Sequence, residues 1–119
     1  MSKTLVIGAS ENEARFSYKA IKALLKKNET VIAIGKDNGQ LDGLPIQTSI
    51  CTDEEVDTVT LYINPSIHTI YEEFLLELNP NRVIFNPGTE NPVLKDKLRT
   101  AGITTLNACT LVLLAANQY

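Results

Sequence analysis

The residues that follow the first apolar segment have the types and spacing of an anion-binding loop. The loop runs Gly8-Ala-Ser-Glu-Asn-Glu-Ala-Arg15-Phe-Ser17. Gly8 permits a tight turn, and the Ser10 and Ser17 hydroxyls and the Arg15 guanidinium can bind phosphate oxygens together with backbone N–H groups. Ser10 and Glu13 replace the later glycines of a G-x-G-x-x-G motif, and a Walker A motif is absent. A phosphate site and a plain strand–helix turn, capped by Ser17, both remain open.

The end of the second apolar segment carries Gly35 and Lys36. Dinucleotide-binding folds that take NAD usually place an acidic residue there, where it binds the ribose hydroxyls. A lysine disfavours NAD and favours a ribose that carries a phosphate, as in NADP or coenzyme A. The alternative is a solvated lysine in a turn.

Three side chains are candidates for reactive groups: His68, Cys109 and Cys51. His68, the only histidine, lies in the first turn of a predicted helix whose N-terminus should face the ligand crevice. It lacks an evident nucleophile and orienting carboxylate, so we expect either an outer contact with the ligand or a surface position. Cys109 is either a thiol near the ligand or a small buried hydrophobe, and Cys51 is expected to be exposed. We predict no catalytic residue and no metal site, since one histidine and two distant cysteines have no metal-ligand spacing.

Five short apolar strands alternate with helices along the chain. The predicted strands are 3–8, 30–34, 57–63, 82–85 and 103–106, and the predicted helices end near 27, span 66–78, begin at 92 and span 109–116. We expect Ser66 to cap the second helix, Asn28 and Gly102 to end the first and third, 35–43 to be a loop and 45–50 a connector. Continuous apolar strands indicate a parallel sheet covered on both faces. The fold class predicted is α/β, a three-layer Rossmann-like domain with about five parallel strands.

Length and composition limit the possible functions. The 119 residues fit one domain, 1–119, with 44% hydrophobic and 21% charged residues and a net charge of −3. That charge and the lack of Trp argue against nucleic acid but allow a small anionic ligand. The longest apolar run, 111–116, is far below the roughly 20 residues of a membrane span, and no signal peptide is evident. We therefore expect a cytoplasmic protein with two reduced thiols that does not bind membranes.

The sequence resembles the small stand-alone CoA-binding proteins, and hence the CoA-binding domain of the succinyl-CoA synthetase α subunit. The resemblance rests on the first loop, on Lys36, on the connector Leu41-Asp-Gly-Leu-Pro-Ile46, on Asn86-Pro-Gly88 and on the position of Cys109. Two segments depart from the family pattern: Ile34-Gly35 replaces an Asn-Pro pair, and Pro87-Gly88 replaces a Gln-Gly pair.

The resemblance implies a role for each part of the predicted site. Gly8, Ala9, Ser10, Arg15 and Ser17 would hold the phosphate end of CoA. Lys36, beside Gly35, would lie near the 3′-phosphate, and Ile63, Asn64 and Pro65 would border the pantetheine. His68, on its position alone, is added as an outer contact. The function expected is non-catalytic binding of CoA or an acyl-CoA. An NADP-type binder or small oxidoreductase, and an interaction module with an unused pocket, remain alternatives, and a protein partner or homodimer remains open.

Overall fold

The computed structural model describes residues 3–119, so residues 1 and 2 of the predicted domain lie outside the described part. Its single sheet has seven strands, in the order β3-β4-β2-β1-β5-β6-β7. The strands are β1 (Lys3–Ala9), β2 (Thr30–Gly35), β3 (Gly39–Leu41), β4 (Leu44–Gln47), β5 (Thr58–Leu61), β6 (Arg82–Phe85) and β7 (Thr104–Asn107). All neighbours pair in parallel except β3 and β4, which are antiparallel. The six parallel strands follow the 3-2-1-4-5-6 order of a Rossmann fold, which confirms the predicted fold class.

The expected number of strands was wrong, because the β3–β4 hairpin forms within the segments that were predicted to be a loop (35–43) and a connector (45–50). Asp42 and Gly43, both at positive φ (50° and 84°), make its two-residue turn. An Asp-Gly pair between Leu41 and Leu44 is a hairpin signal, since both central residues of such a turn need positive φ. Gln40 lies opposite Pro45.

Helices cover both faces of the sheet. They are α1 (Phe16–Lys26), α2 (Thr69–Leu78), α3 (Pro92–Thr100) and α4 (Thr110–Ala115), with a 3₁₀ turn at Pro65–Ile67. Side chains alternate along β1: Leu5 and Ile7 join the core under α2 and α3, whereas Val6 joins the core under α1 and α4. This alternation produces the three layers, with each strand buried on both sides.

The helix ends agree in part with the expectations. Asn28 (φ 61°) and Gly102 (φ 88°) follow the ends of α1 and α3 in left-handed conformation, as predicted. The prediction for Ser66 was wrong: Pro65 begins a 3₁₀ turn, Asn64 caps it by accepting from the Ser66 N–H at 2.9 Å, and His68 is the N-cap of α2. Ser17 is not a cap either, since α1 begins at Phe16 after an extended Arg15.

Candidate functional site

A crevice of about 860 Å³ lies beyond the carboxyl ends of β1 and β5, where the strand order reverses. Ligands of open α/β sheets bind at this switch point. Its wall consists of Gly8, Ala9, Ser10, Glu11, Asn12, Ala14, Arg15, Phe16, Ser17, Lys36, Asp37, Asn38, Ile46, Tyr62, Ile63, Asn64, Ile67, Pro87, Gly88 and Thr89. Most of the predicted site residues are therefore brought together, but Gly35, Pro65 and His68 are not part of the wall.

Gly8 forms the floor of the crevice, where β1 and the end of β5 approach closely. Its φ is 102°, and a Cβ there would lie 2.7 Å from the carbonyl oxygen and 2.9 Å from the carbonyl carbon of Tyr62. The Tyr62 N–H donates to the Ile7 carbonyl at 2.8 Å, which holds the two segments together. Only glycine fits both the conformation and the space at this position.

The loop before α1 is braced by its own hydrogen bonds. Ser10 Oγ accepts from the Asn12 N–H and Asn12 Oδ1 accepts from the Ala14 N–H, both at 3.0 Å. The Arg15 N–H donates to the Asn12 carbonyl, also at 3.0 Å. These contacts turn the chain into α1 without using the N–H groups of the helix's first turn.

The N-terminus of α1 is open toward the crevice. It has no side-chain cap and no acidic residue in its first turn. Ser17 is only 3% exposed and lines the crevice, yet its hydroxyl makes no hydrogen bond to any residue of the described range 3–119. Arg15 is exposed beside it. Uncapped N–H groups, the unpaired Ser17 hydroxyl and a guanidinium on one wall form an arrangement suited to an anion.

Gly35 lies behind the wall and packs β2 against its neighbours. A Cβ there would lie 2.5 Å from the Ala9 carbonyl oxygen and 2.8 Å from Ile46 Cγ2. Gly35 therefore supports the predicted site through close packing and does not line the crevice itself. The next residues, Lys36, Asp37 and Asn38, are exposed on the wall.

Two carboxylates on the wall were missed by the sequence analysis. Asp37 directly follows Lys36, and Glu11 lies within the predicted phosphate loop. Their two negative charges equal in number the positive charges of Arg15 and Lys36, so the wall holds two acids and two bases. The signal for Asp37 was present, because it stands one residue beyond the position at which an acid was sought.

His68 is a buried link between elements, so the expected surface position was wrong. It is 1% exposed, and its Nε2 lies 3.0 Å from the Ile63 carbonyl oxygen, which can only accept, so Nε2 carries the proton. Its Nδ1 accepts from Asn91 Nδ2 at 3.0 Å, while Asn91 Oδ1 accepts from the Leu94 N–H at 3.1 Å. Both ring nitrogens are thus engaged in joining α2, α3 and the segment after β5.

Asn86 holds a buried polar network behind the crevice. Its Nδ2 donates to Thr60 Oγ1 at 2.6 Å and to the Leu61 carbonyl at 2.9 Å, and its Oδ1 accepts from the Thr110 N–H at 2.9 Å. Its carbonyl accepts from Thr89 Oγ1 at 2.7 Å. The network fixes the start of α4 and the loop 86–89, part of which forms the crevice wall.

Tyr62 joins the crevice to the core. Its phenol oxygen is buried without a hydrogen bond of good geometry, although the Thr110 and Thr60 hydroxyls are near. Burial raises the pKa of Tyr62 to about 12, and these hydroxyls offset only part of the effect. The phenol is therefore protonated at neutral pH.

The cysteines are free thiols. Cys51 is exposed, as expected, and Cys109 is half-buried and is not part of the crevice wall. Among residues 3–119, no three His, Cys, Asp or Glu side chains are grouped so that they could hold a metal ion. Over the same range, the helices are too short or too polar for any of them to span a bilayer.

Solved structures share this fold over the whole chain. A structure described as an uncharacterized protein is 41% identical, with a TM-score of 0.96, covering 100% of this chain and 98% of the other. A protein of Thermus thermophilus, cell-free ID.343, is 22% identical with a TM-score of 0.87, covering 99% and 90%. The dinucleotide forming acetyl-coenzyme A synthetase 1 of Ca. Korarchaeum cryptofilum, solved with phosphate and ADP, is 18% identical with a TM-score of 0.72, covering 90% of this chain and 25% of the synthetase.

The sequence comparisons identify the family. No curated protein matches the chain. The family described as the CoA binding domain matches residues 2–115, nearly the full length. That match agrees with the resemblance seen in the first loop and supports CoA binding. The chain belongs to the CoA-binding domain family.

Proposed function

We propose that this protein binds CoA or an acyl-CoA in the crevice without catalysing a reaction. The observation that carries the proposal is the group of donors on the crevice wall where α1 begins. They are the first-turn N–H groups, which have no side-chain cap, the Ser17 hydroxyl, which has no hydrogen-bond partner in the described chain, and the Arg15 guanidinium. Donors grouped at a helix N-terminus suit an anion, so we expect them to meet phosphate oxygens of the ligand.

The phosphates of CoA suit the N-terminus of α1. Its first-turn N–H groups carry the positive end of the helix dipole, and no acidic side chain in that turn opposes an anion. The Arg15 guanidinium can approach a diphosphate from the open side, where its donors match two phosphate oxygens. Gly8 supports this site because the absence of a Cβ lets β1 approach the Tyr62 carbonyl at the floor of the crevice.

The ribose end is assigned to the segment 36–38. Lys36 suits the 3′-phosphate of CoA, which NAD lacks. Asp37, however, favours a second candidate: a dinucleotide whose free ribose hydroxyls donate to a carboxylate. The family match favours CoA, so the contrast between a phosphorylated and an unphosphorylated ribose is the decisive comparison.

The absence of catalysis is proposed from the side chains on the wall. The described wall holds no histidine and no cysteine, and Tyr62 is protonated and buried. Arg15, Lys36 and the serine hydroxyls suit binding. The two carboxylates of the described wall, Glu11 and Asp37, make no hydrogen bond or ion pair to a serine or lysine that they could activate, and Glu11 is engaged by the Gln40 N–H.

We also propose that the protein is cytoplasmic and hands its ligand to another protein. Both cysteines are free thiols, which suits a reducing compartment. A protein that binds CoA without transforming it acts by storing, sensing or presenting it. Storage needs no partner, whereas sensing and presentation require a second protein.

Calorimetry and thermal unfolding with CoA, dephospho-CoA, NADP and NAD test the proposal. A ligand at 100 times its dissociation constant adds about 2.7 kcal/mol, or roughly 10 °C in melting temperature for a chain of this size. CoA should give such a shift and NAD should not. A larger shift with NAD than with CoA would establish the second candidate instead.

A cycle over protein and ligand tests the role of Lys36. The wild type should prefer CoA over dephospho-CoA, and Lys36→Ala should reduce that preference by up to about 1 kcal/mol, as for an exposed ion pair. Lys26→Ala, which removes an exposed lysine at the far end of α1, is the control and should leave the preference unchanged. Equal weakening of both ligands by Lys36→Ala would show that this lysine does not contact the 3′-phosphate.

A further inference from the structure

Glu11 places a negative charge in a crevice that is proposed to bind phosphates, and its contacts explain why. Its Oε2 accepts from the backbone N–H of Gln40 at 3.0 Å. Gln40 belongs to the outermost strand and lies opposite Pro45, next to the Leu41–Leu44 pair that closes the two-residue turn. Hydrogen-bonded and non-hydrogen-bonded pairs alternate in an antiparallel ladder, and the pair that closes the turn is hydrogen-bonded, so the backbone groups of Gln40 and Pro45 point away from each other. The Gln40 N–H therefore points to the open edge of the sheet, and the Glu11 carboxylate supplies its acceptor.

Gly39 shows how closely the carboxylate fits. A Cβ at Gly39 would lie 2.7 Å from Glu11 Cδ and 2.9 and 3.0 Å from its two oxygens. The φ of Gly39 is not in the left-handed region, so an alanine there would be opposed by space and not by conformation, and it would displace the end of the Glu11 side chain. The three atoms nearest to that Cβ all belong to the end of the Glu11 side chain.

The contact fixes one end of the segment 36–38. At the other end, Gly35 is packed against Ala9 and Ile46. Between these anchors, Lys36, Asp37 and Asn38 are exposed on the crevice wall, and in the described chain their side chains make no hydrogen bond or ion pair. The position of the segment therefore depends on its two anchors.

We propose that Glu11 is a positioning residue: it fixes the segment 36–38 so that Lys36 can distinguish a ribose with a phosphate from one without. The inference rests on the proposed function, because it concerns the same crevice. The proposal predicts that removal of Glu11 lowers the preference for CoA over dephospho-CoA, whereas the loss of a negative charge alone would raise it. Removal of a negative charge from an anion site should strengthen phosphate binding, whereas loss of this anchor should weaken the selection of the phosphate.

The test compares CoA with dephospho-CoA by calorimetry in the wild type, Glu11→Ala, Glu11→Gln and Gly39→Ala. The wild type should prefer CoA by about fivefold, the most that an exposed ion pair is worth. Glu11→Ala removes the acceptor, and Gly39→Ala displaces the carboxylate while leaving its charge in place, so both should lose most of the preference. Glu11→Gln keeps an acceptor oxygen and should rescue it. Glu13→Ala, which removes a charge from the same loop away from the crevice wall, is the matched control.

Hydrogen exchange on the ligand-free protein provides a second readout. The Gln40 amide should exchange faster in Glu11→Ala and Gly39→Ala than in the wild type, Glu11→Gln or Glu13→Ala. An unchanged preference in Glu11→Ala, an equal rise in CoA affinity in Glu11→Ala and Glu11→Gln, or unchanged exchange at Gln40 would each overturn the inference while leaving CoA binding intact. Failure of the wild type to bind CoA would overturn the proposed function and this inference with it.

Discussion

Alanine at Gly8 should destabilise the protein far more than alanine at Gly102, although both glycines have positive φ. Their φ values are 102° and 88°, so backbone strain of about 1–2 kcal/mol is expected at each. At Gly102 an added Cβ meets nothing within 4 Å, and strain is the whole cost.

At Gly8 the added Cβ collides with backbone. It would lie 2.7 Å from the Tyr62 carbonyl oxygen, and Tyr62 cannot retreat freely because its N–H is bonded to Ile7. Overpacking of this kind adds about 1–3 kcal/mol. The expected loss in unfolding free energy is therefore about 2–5 kcal/mol for Gly8→Ala and about 1–2 kcal/mol for Gly102→Ala.

Urea unfolding of both variants beside the wild type measures the difference. The midpoint should fall further for Gly8→Ala with a similar slope, since a changed slope would indicate a changed denatured state. Equal losses for the two variants would refute the reasoning, because the close approach of β1 and the end of β5 would then relax at no cost.

Three further predictions concern the crevice and its support. Arg15→Ala should weaken CoA binding by about 1–2 kcal/mol in calorimetry while changing stability by less than about 0.5 kcal/mol, because the side chain is exposed; unchanged affinity would contradict it. Asn86→Ala should lower the free energy of unfolding by about 2–4 kcal/mol, because it removes three buried hydrogen bonds, of which only the Thr60 hydroxyl keeps another side-chain partner, Thr110, and a loss below about 1 kcal/mol would contradict the network. Tyr62→Phe should not destabilise the protein at pH 7, because the phenol oxygen has no partner. The raised pKa of about 12 means that stability is fully present below about pH 10 and is lost as pH rises through 12, so Tyr62→Phe should reduce that alkaline loss in pH-dependent unfolding.

The fold could be predicted where burial leaves a continuous apolar run. The segments that became β1 and β2 are short and rich in β-branched residues, and the helix between them has a charged outer face. Strands that are apolar throughout are typical of a parallel sheet that helices cover on both faces. The β3–β4 hairpin lacked that signal because its strands have three and four residues and mostly exposed or half-exposed side chains. Its evidence lay in the Asp42-Gly43 turn instead.

The site could be predicted where it is contiguous in the chain. The loop from Gly8 to Ser17 contributes the floor, the open helix end and the guanidinium within ten residues, so its chemistry is visible in the sequence. His68 was misplaced because its position depends on Asn91, 23 residues away, which only the packing of α2 and α3 brings to its ring.

Neither the net charge of the chain nor the charge of the crevice wall explains how this crevice would bind an anion. The chain carries a net charge of −3, and the two bases on the crevice wall are matched by two acids. Long-range attraction of a polyanion is therefore weak, and affinity must come from short, directed contacts at the open end of α1. Such contacts depend on position to within a fraction of an ångström, which gives a structural role to the residues that position the wall. Gly8 and Gly35 let three strand ends converge, and Glu11 ties the hairpin edge to the loop that we propose binds the phosphates. An acidic side chain such as Glu11, which holds the segment of Lys36 in place, can favour the selection of a phosphate by more than its own negative charge disfavours it.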